Sequence, residues 1–89
     1  MKFKVGDKVV VTRRANDRES DGIGWIGGEM DARIGKSGTI RIIEHEEHWA
    51  SPGAKIIFDD RKYHTDYWFP EPSLAPLKRL IVLPKRSKE

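Results

Sequence analysis

The sequence contains no cysteine among its 89 residues. Disulfide bonds and thiolate zinc sites therefore cannot supplement the hydrophobic core. The absence fits a reducing compartment, and no apolar segment near the N-terminus would form a signal peptide, so the sequence predicts a cytoplasmic protein. No apolar run approaches the roughly 20 residues that a membrane-spanning helix requires, and no membrane partner is expected.

Catalytic motifs are also missing from the sequence. It has no Gly-x-Ser-x-Gly element, no phosphate-binding loop and no cysteine nucleophile. The stretch 44–48, with His64, offers possible metal ligands but lacks the helical His-Glu-x-x-His spacing. Residues 17–22 resemble the start of a calcium loop, whose twelfth position is Gly28 and not the required glutamate. The sequence therefore predicts a protein that is not an enzyme and uses no metal or cofactor.

Net charge is small over most of the chain. Residues 1–75 contain twelve basic and thirteen acidic side chains, a net charge of −1, so the total of +3 comes from the C-terminal end. The basic residues there are Lys78, Arg79, Lys85, Arg86 and Lys88. We expect one domain over 1–83 and a disordered basic tail over 84–89.

Short β-branched and aromatic runs separated by turn residues predict an all-β fold. The expected strands cover 3–13, 39–44, 54–58, 63–69 and 77–83. A long first loop over 13–24 leads to a short helical turn near 28–34. The prolines in 70–76 lack the amide hydrogens of a sheet ladder and favour a 3₁₀ turn or an extended connector. Together these elements predict a small SH3-like barrel of about five strands.

Strand alternation and helical spacing also predict which side chains are buried. The expected core is Val9, Val11, Ile40, Ile56, Phe58, Tyr67, Phe69 and Leu74. Met30 and Ile34 lie one helical turn apart and should share a face. Gly35 follows them as a left-handed stop.

Several motifs, taken in order, resemble the SH3-like repeat of Mind bomb ubiquitin ligases. They are Phe3-Lys4-Val5-Gly6-Asp7-Lys8-Val9, Gly24-Trp25 with Met30, Ile34-Gly35-Lys36-Ser37-Gly38-Thr39-Ile40, Ile56-Ile57-Phe58-Asp59, and Tyr67-Trp68-Phe69 with Leu74. The resemblance covers roughly residues 3–77. It implies an SH3-like fold and a protein-binding role, since such repeats recognise a ligand tail.

The same resemblance does not imply ligase activity. Catalysis in Mind bomb belongs to RING domains, which this cysteine-free chain cannot form. The chain also carries one repeat instead of a tandem pair, and its loops over 44–53 and 59–66 are longer. A lone module of this kind would suit a microbial or viral accessory protein.

Apolar and aromatic side chains at five positions are the candidates for binding a protein or peptide: Trp25, Trp49, Ile57, Tyr63 and Trp68. Trp25 could line a groove, but packing over the barrel end is the favoured interpretation because a small core needs such anchors. Alternation places Ile57 and Trp68 on an outer face. That face requires a cover, which could be the apolar segment 80–83, a partner, or a second copy in a homodimer.

Nucleic-acid binding is the alternative function. Val9-Val10-Val11 and the stretch 34–40 resemble the KOW motif of ribosomal and transcription-elongation proteins, which also belongs to an SH3-like barrel. The basic residues that could line one edge are Arg13, Arg14, Arg18, Arg33, Lys36 and Arg41, with Lys78 and Arg79 from the C-terminal end. The net charge of residues 1–75 counts against this alternative.

Overall fold

Five antiparallel strands form one sheet in the computed structural model, which describes residues 1–63 and 66–77. In chain order the elements are β1 (Lys8–Val11), α1 (Gly27–Asp31), β2 (Ser37–Glu44), β3 (Gly53–Phe58), β4 (Phe69–Pro70), a 3₁₀ turn (Glu71–Ser73) and β5 (Leu74–Pro76). The strand order is β4-β3-β2-β1-β5. The prediction of an all-β, small barrel-like domain is confirmed.

The two longest strands, β2 and β3, form the centre of the sheet. Isoleucine is frequent in both, at 40, 42 and 43 in β2 and at 56 and 57 in β3, a composition that suits a half-buried pleated surface. Their ladder runs from Gly38 opposite Phe58 to Glu44 opposite Gly53. A register shift between Ile40 and Ile42 marks a bulge, which bends the strand and increases its twist.

Prolines lie in both edge strands, so the prediction that 70–76 contains no strand is wrong. Pro70 ends β4 and Pro76 ends β5, and these two strands stand at the two edges of the sheet. An edge strand tolerates proline because one side of its backbone needs no ladder partner. β5 pairs with β1 and takes the place expected for 77–83. Of that predicted strand only Leu77 is described, and it lies outside β5.

Two predicted strands are shorter than expected. The predicted strand over 3–13 is observed only as β1, because the chain turns at Gly6, whose φ is +98°. The predicted strand over 63–69 is wrong for Tyr63 and 66–68, which adopt irregular structure, and right for Phe69; residues 64 and 65 lie outside the described part of the chain. Aromatic content there reflects packing against the core and not strand formation.

Seven of the eight residues predicted to form the core are buried. Tyr67 is the exception because it is only partly buried. The buried apolar side chains that complete the cluster are Phe3, Met30 and Ala54. Met30 is 1% exposed and Ile34 is 36% exposed, so they do not share a buried face. Helix α1 ends at Asp31, before Ile34 can continue its stripe. Gly35 has a φ of +89°, as predicted for a left-handed stop.

An ion pair within the first loop joins Arg13, where the loop begins, to Glu19 near its middle. Arg13 donates to both carboxylate oxygens of Glu19 at 2.9 Å, and the Asn16 amide donates to Glu19 at 3.0 Å. The Glu19 amide in turn donates to the Asn16 side chain at 2.8 Å. The hydrogen bond from Arg13, followed by that from Asn16, lowers the pKa of Glu19 from 4.5 to about 2. This bidentate geometry holds a polar loop in one conformation.

Acid should therefore release the loop at a pH far below the usual range for glutamate. The folded pKa of Glu19 lies below its unfolded value, so the stabilisation is present above about pH 4.5 and is lost as pH falls through about 2. Carboxyl chemical shifts measured by NMR across this range should place the Glu19 midpoint near 2. In an Arg13→Gln variant the midpoint should return towards 4.5. A midpoint near 4.5 in the unmodified protein would contradict the ion pair.

No helix within 1–63 and 66–77 is both long enough and apolar enough to cross a membrane.

Candidate functional site

The five predicted partner-binding residues occupy three places in the structure. Trp25 is half-buried and packs edge-to-face on Phe69, with ring centroids 5.8 Å apart. Its indole Nε1 donates to Asp31 Oδ1 at 2.9 Å. Trp25 thus ties the end of the first loop and helix α1 to the core, in line with the favoured interpretation of this residue as an anchor.

Trp49 and Trp68 form a pair, with ring centroids 5.5 Å apart and a tilt of 58°. Both are half-buried. Two glycines make room for Trp49: a Cβ on Gly22 would lie 2.8 Å from Trp49 Cδ1, and a Cβ on Gly53 would lie 3.3 Å from Trp49 Cζ3. The Lys55 ammonium lies 4.9 Å from the centroid of the Trp68 ring, within the range of a cation–π interaction.

The loop that carries Trp49 is fastened to the first loop. The Ala50 amide donates to Asp21 O at 2.9 Å, and Ser51 Oγ donates to Glu19 O at 3.1 Å. The ion pair at Glu19 therefore also supports the segment that presents the tryptophan pair. These contacts position Trp49, and the sequence alone does not reveal them.

Ile57 and Tyr63 lie beside an open pocket at the end of β3. Ile57 is 49% exposed and Tyr63 is half-buried. The pocket has a volume of about 230 Å³ and is lined by Ile57, Phe58, Arg61 and Tyr63. Phe58 and Tyr63 pack edge-to-face with centroids 6.1 Å apart, which fixes two of its walls.

The tryptophan pair and the pocket are connected along the outer face of β3. Ala54, Ile56 and Phe58 are buried, so the alternating residues Lys55 and Ile57 point to the opposite face. Lys55 contacts Trp68, and Ile57 lines the pocket. We call this surface the β3 stripe; it comprises Trp49, Trp68, Lys55, Ile57, Arg61 and Tyr63. Trp68 thus has Lys55 and Trp49 as its neighbours along the predicted outer face.

Some backbone N–H and C=O groups of β3 are not used in its ladder with β2. The Asp59 amide donates to Ser37 O at 3.0 Å. Because bonded pairs alternate along an antiparallel ladder, the polar groups of Ile57 face β2 and those of Ile56 and Phe58 face the other edge. The ladder with β4 includes only Gly53 and Ala54. In the described part of the chain no strand lies beside the edge from 55 to 58, but Ile56 is 0% exposed and Phe58 is 3% exposed, so their backbone groups are covered and not open to a partner.

Arg33 is buried, which removes it from the predicted nucleic-acid edge. It is 2% exposed, and its guanidinium carbon lies 4.8 Å from the Tyr67 ring centroid and 5.1 Å from that of Tyr63. Nη1 donates to the Glu29 carbonyl, and Nε has no hydrogen-bond partner among the described residues. Arg33 therefore supports the aromatic side chains behind the pocket. A sequence alone gives no sign of this role, because an arginine is ordinarily exposed.

The remaining nucleic-acid candidates differ in their partners and exposure. Arg13 is paired with Glu19, and Arg14 lies 3.7 Å from Asp31. Arg18 and Arg41 are exposed, and Lys36 lies 5.6 Å from the Tyr63 ring centroid. The last two candidates, Lys78 and Arg79, lie outside the described residues, as do 80–83 and the tail 84–89.

A second ion pair forms just after the C-terminal end of β3. Lys8 Nζ donates to Asp59 Oδ1 at 2.7 Å, and Ser37 Oγ donates to Asp59 Oδ2 at 2.8 Å. These hydrogen bonds, with that from Lys8 the stronger, lower the pKa of Asp59. The negative charge nearest the end of β3 is thus already matched by a cation.

Metal-binding geometry is not found within the described ranges, where no three histidine or carboxylate side chains converge. Of the possible ligands in 44–48, Glu44 ends β2 and residues 45–48 form an exposed loop. His45 Nε2 lies 3.3 Å from Trp49 O, so this ring has a partner in its own loop. His64 lies outside the described residues.

Comparison with known proteins gives no match: no protein-family model matches the chain, and no curated protein matches its sequence. The resemblances to the Mind bomb repeat and to the KOW motif stay predictions that depend on the motifs quoted above.

Proposed function

We propose that the chain is a non-enzymatic binding module and that its β3 stripe receives an extended segment of a protein or peptide partner. The observation that carries the proposal is the placement of a tryptophan pair and an open pocket along one strand, joined by Lys55 and Ile57. A segment lying along this strand would meet both features at once.

The side chains of the β3 stripe are of the types that contribute most to protein recognition. Tryptophan, tyrosine and arginine are enriched in binding hot spots: the aromatic rings bury large areas, and the planar guanidinium of arginine offers five hydrogen-bond donors. The pocket would receive one side chain of the partner, and Trp49 with Trp68 would contact another. Contact with both features requires an extended partner segment, because the tryptophan pair and the pocket lie at different points along β3.

Acid–base catalysis has little support in the described residues. The carboxyl groups with shifted pKa values there are Glu19 and Asp59, and cation partners lower both. A general acid at neutral pH needs the opposite shift. The proposed role also agrees with the resemblance to the Mind bomb repeat, which implies ligand recognition without catalysis.

An Ile57→Glu substitution should abolish or strongly weaken partner binding while leaving the fold intact. Ile57 is 49% exposed, so its replacement removes little buried area, but a charge on the pocket wall would oppose an apolar anchor. Ile26 is a matched control because it is also an isoleucine, is 53% exposed, and lies at the start of α1. Selection from a random heptapeptide library, followed by titration calorimetry, measures the effect.

The selected peptides should bind the unmodified chain and the Ile26→Glu variant with equal affinity. They should bind the Ile57→Glu variant at least about tenfold more weakly. Sedimentation at several concentrations separates a second copy of the chain from a different partner. Equal binding by all three proteins would place the site elsewhere. Failure of every peptide to bind would contradict the proposed function itself.

A further inference from the structure

Four cations along the β3 stripe and beside it have no carboxylate partner in the parts of the chain that are described. They are Lys36, Lys55, Arg61 and Lys62. The described ion pairs within 4.0 Å instead engage cations elsewhere: Lys4, Lys8, Arg13, Arg14 and Arg33. The surface that carries the pocket thus holds four of the seven lysine and arginine cations that have no ion pair among the described residues; the other three are Lys2, Arg18 and Arg41.

Three of these four cations lie over aromatic rings. Lys36 and Lys62 extend to the Tyr63 ring, with ammonium groups 5.6 Å and 5.4 Å from its centroid. Lys55 has the same relation to Trp68, at 4.9 Å. Arg61 lines the pocket itself. Contact with an aromatic face limits the freedom of a lysine side chain, so less entropy is lost when it binds an anion.

Nearby acidic groups form no ion pair with these four cations in the described residues. Asp59 accepts from Lys8 and Ser37. Asp60 Oδ1 accepts from the backbone amide of Lys62 at 3.2 Å and stays within its own turn. A partner that supplies carboxylates would therefore meet cations that are ready to pair.

We infer that the β3 stripe selects an acidic peptide. An apolar side chain of the peptide enters the pocket beside Tyr63, and flanking carboxylates pair with Lys36, Arg61 and Lys62. The inference deepens the proposed function and rests on it. Complementary charge would select among partners and speed association, while the apolar anchor and the tryptophan pair would supply most of the affinity.

An acidic peptide accounts for this surface better than a nucleic acid. The pocket has an apolar wall in Ile57 and Phe58, which offers no partner for a phosphate. Of the cations once expected to line a phosphate-binding edge, Arg13 and Arg14 are already paired and Arg33 is buried.

The test uses fluorescein-labelled heptapeptides with one central leucine or phenylalanine, prepared in three series whose flanking residues are glutamate, glutamine or lysine. Fluorescence anisotropy measures the affinity of each series for the full chain, and a labelled single-stranded oligonucleotide is included. An Arg61→Glu, Lys62→Glu double variant is compared with an Arg18→Glu, Lys4→Glu double variant. The second changes the charge equally, at positions outside the β3 stripe.

The expected result is that the glutamate series binds about tenfold more tightly than the glutamine series, with the lysine series weakest. The Arg61→Glu, Lys62→Glu variant should lose this preference, and the control should keep it. The preference should also shrink at about 0.5 M salt, because exposed ion pairs are screened. Equal affinity of all three series would overturn the acidic selectivity and leave the proposed peptide binding standing. Absence of peptide binding, or binding of the oligonucleotide alone, would overturn both.

Discussion

Replacing Phe58 with alanine should lower the free energy of unfolding by about 3–5 kcal/mol. Phe58 is buried, and its ring packs edge-to-face on Phe69 at 5.9 Å and on Tyr63 at 6.1 Å. The guanidinium of Arg33 lies 5.8 Å from the same ring. Truncation would therefore leave a cavity at the centre of the core and also expose one side of a buried cation. Such a loss is a large fraction of the stability of a domain this small.

Thermal unfolding followed by circular dichroism measures this effect. For a domain of this size, 3 kcal/mol corresponds to a fall in melting temperature of at least about 12 °C. A Phe58→Leu variant is the matched control, since it keeps most of the apolar volume and should cost much less. If Phe58→Ala melts within a few degrees of the unmodified protein, the assignment of this face of β3 to the core is wrong.

A Gly38→Ala substitution should be destabilising by about 1–3 kcal/mol or more, because the added methyl group has no space. A Cβ on Gly38 would lie 2.6 Å from Ile56 Cγ2 and 2.8 Å from Phe58 Cα, and it would also meet the Ile57 carbonyl oxygen. Two of these atoms belong to the backbone of β3, so β2 and β3 would have to move apart. The substitution should consequently also disturb the presentation of Ile57 to a partner.

Gly28→Ala is the control for this prediction, and its effect should have the opposite sign. Gly28 lies inside α1, and a Cβ there would meet nothing within 4 Å. Alanine is favoured over glycine in a helix by about 0.5–1 kcal/mol. Urea unfolding of the two variants should therefore move the midpoints in opposite directions. A Gly38→Ala protein as stable as the unmodified chain would contradict the observed separation of β2 and β3.

The central strands could be predicted from the sequence because their pattern and their environment agree. The β-branched runs at 9–11 and 39–43 are half-buried in the sheet, where β-branched side chains pack well. The edge strands could not be predicted in the same way. Pro70 and Pro76 exclude a central strand but not an edge strand, and the sequence does not reveal which position in the sheet each segment takes.

The candidate site was predictable only in part, for a related reason. Alternation along β3 places Ile57 outward, but it cannot show that Trp49 packs on Gly22 or that Lys55 covers Trp68. Arg33 is the clearest failure, since a basic residue near glycines suggests a surface role and the structure places it behind Tyr63 and Tyr67. Such contacts connect distant parts of the chain, and local patterns carry no information about them.

Chemical-shift mapping by NMR tests most directly whether a partner segment binds along the β3 stripe. A heptapeptide obtained by selection would be titrated into the isotopically labelled full chain. The account predicts that the largest changes fall on the amides of Lys55, Ile57 and Tyr63 and on the indole of Trp68. Changes confined to the first loop around Arg13 and Arg18, with the β3 resonances unmoved, would contradict it.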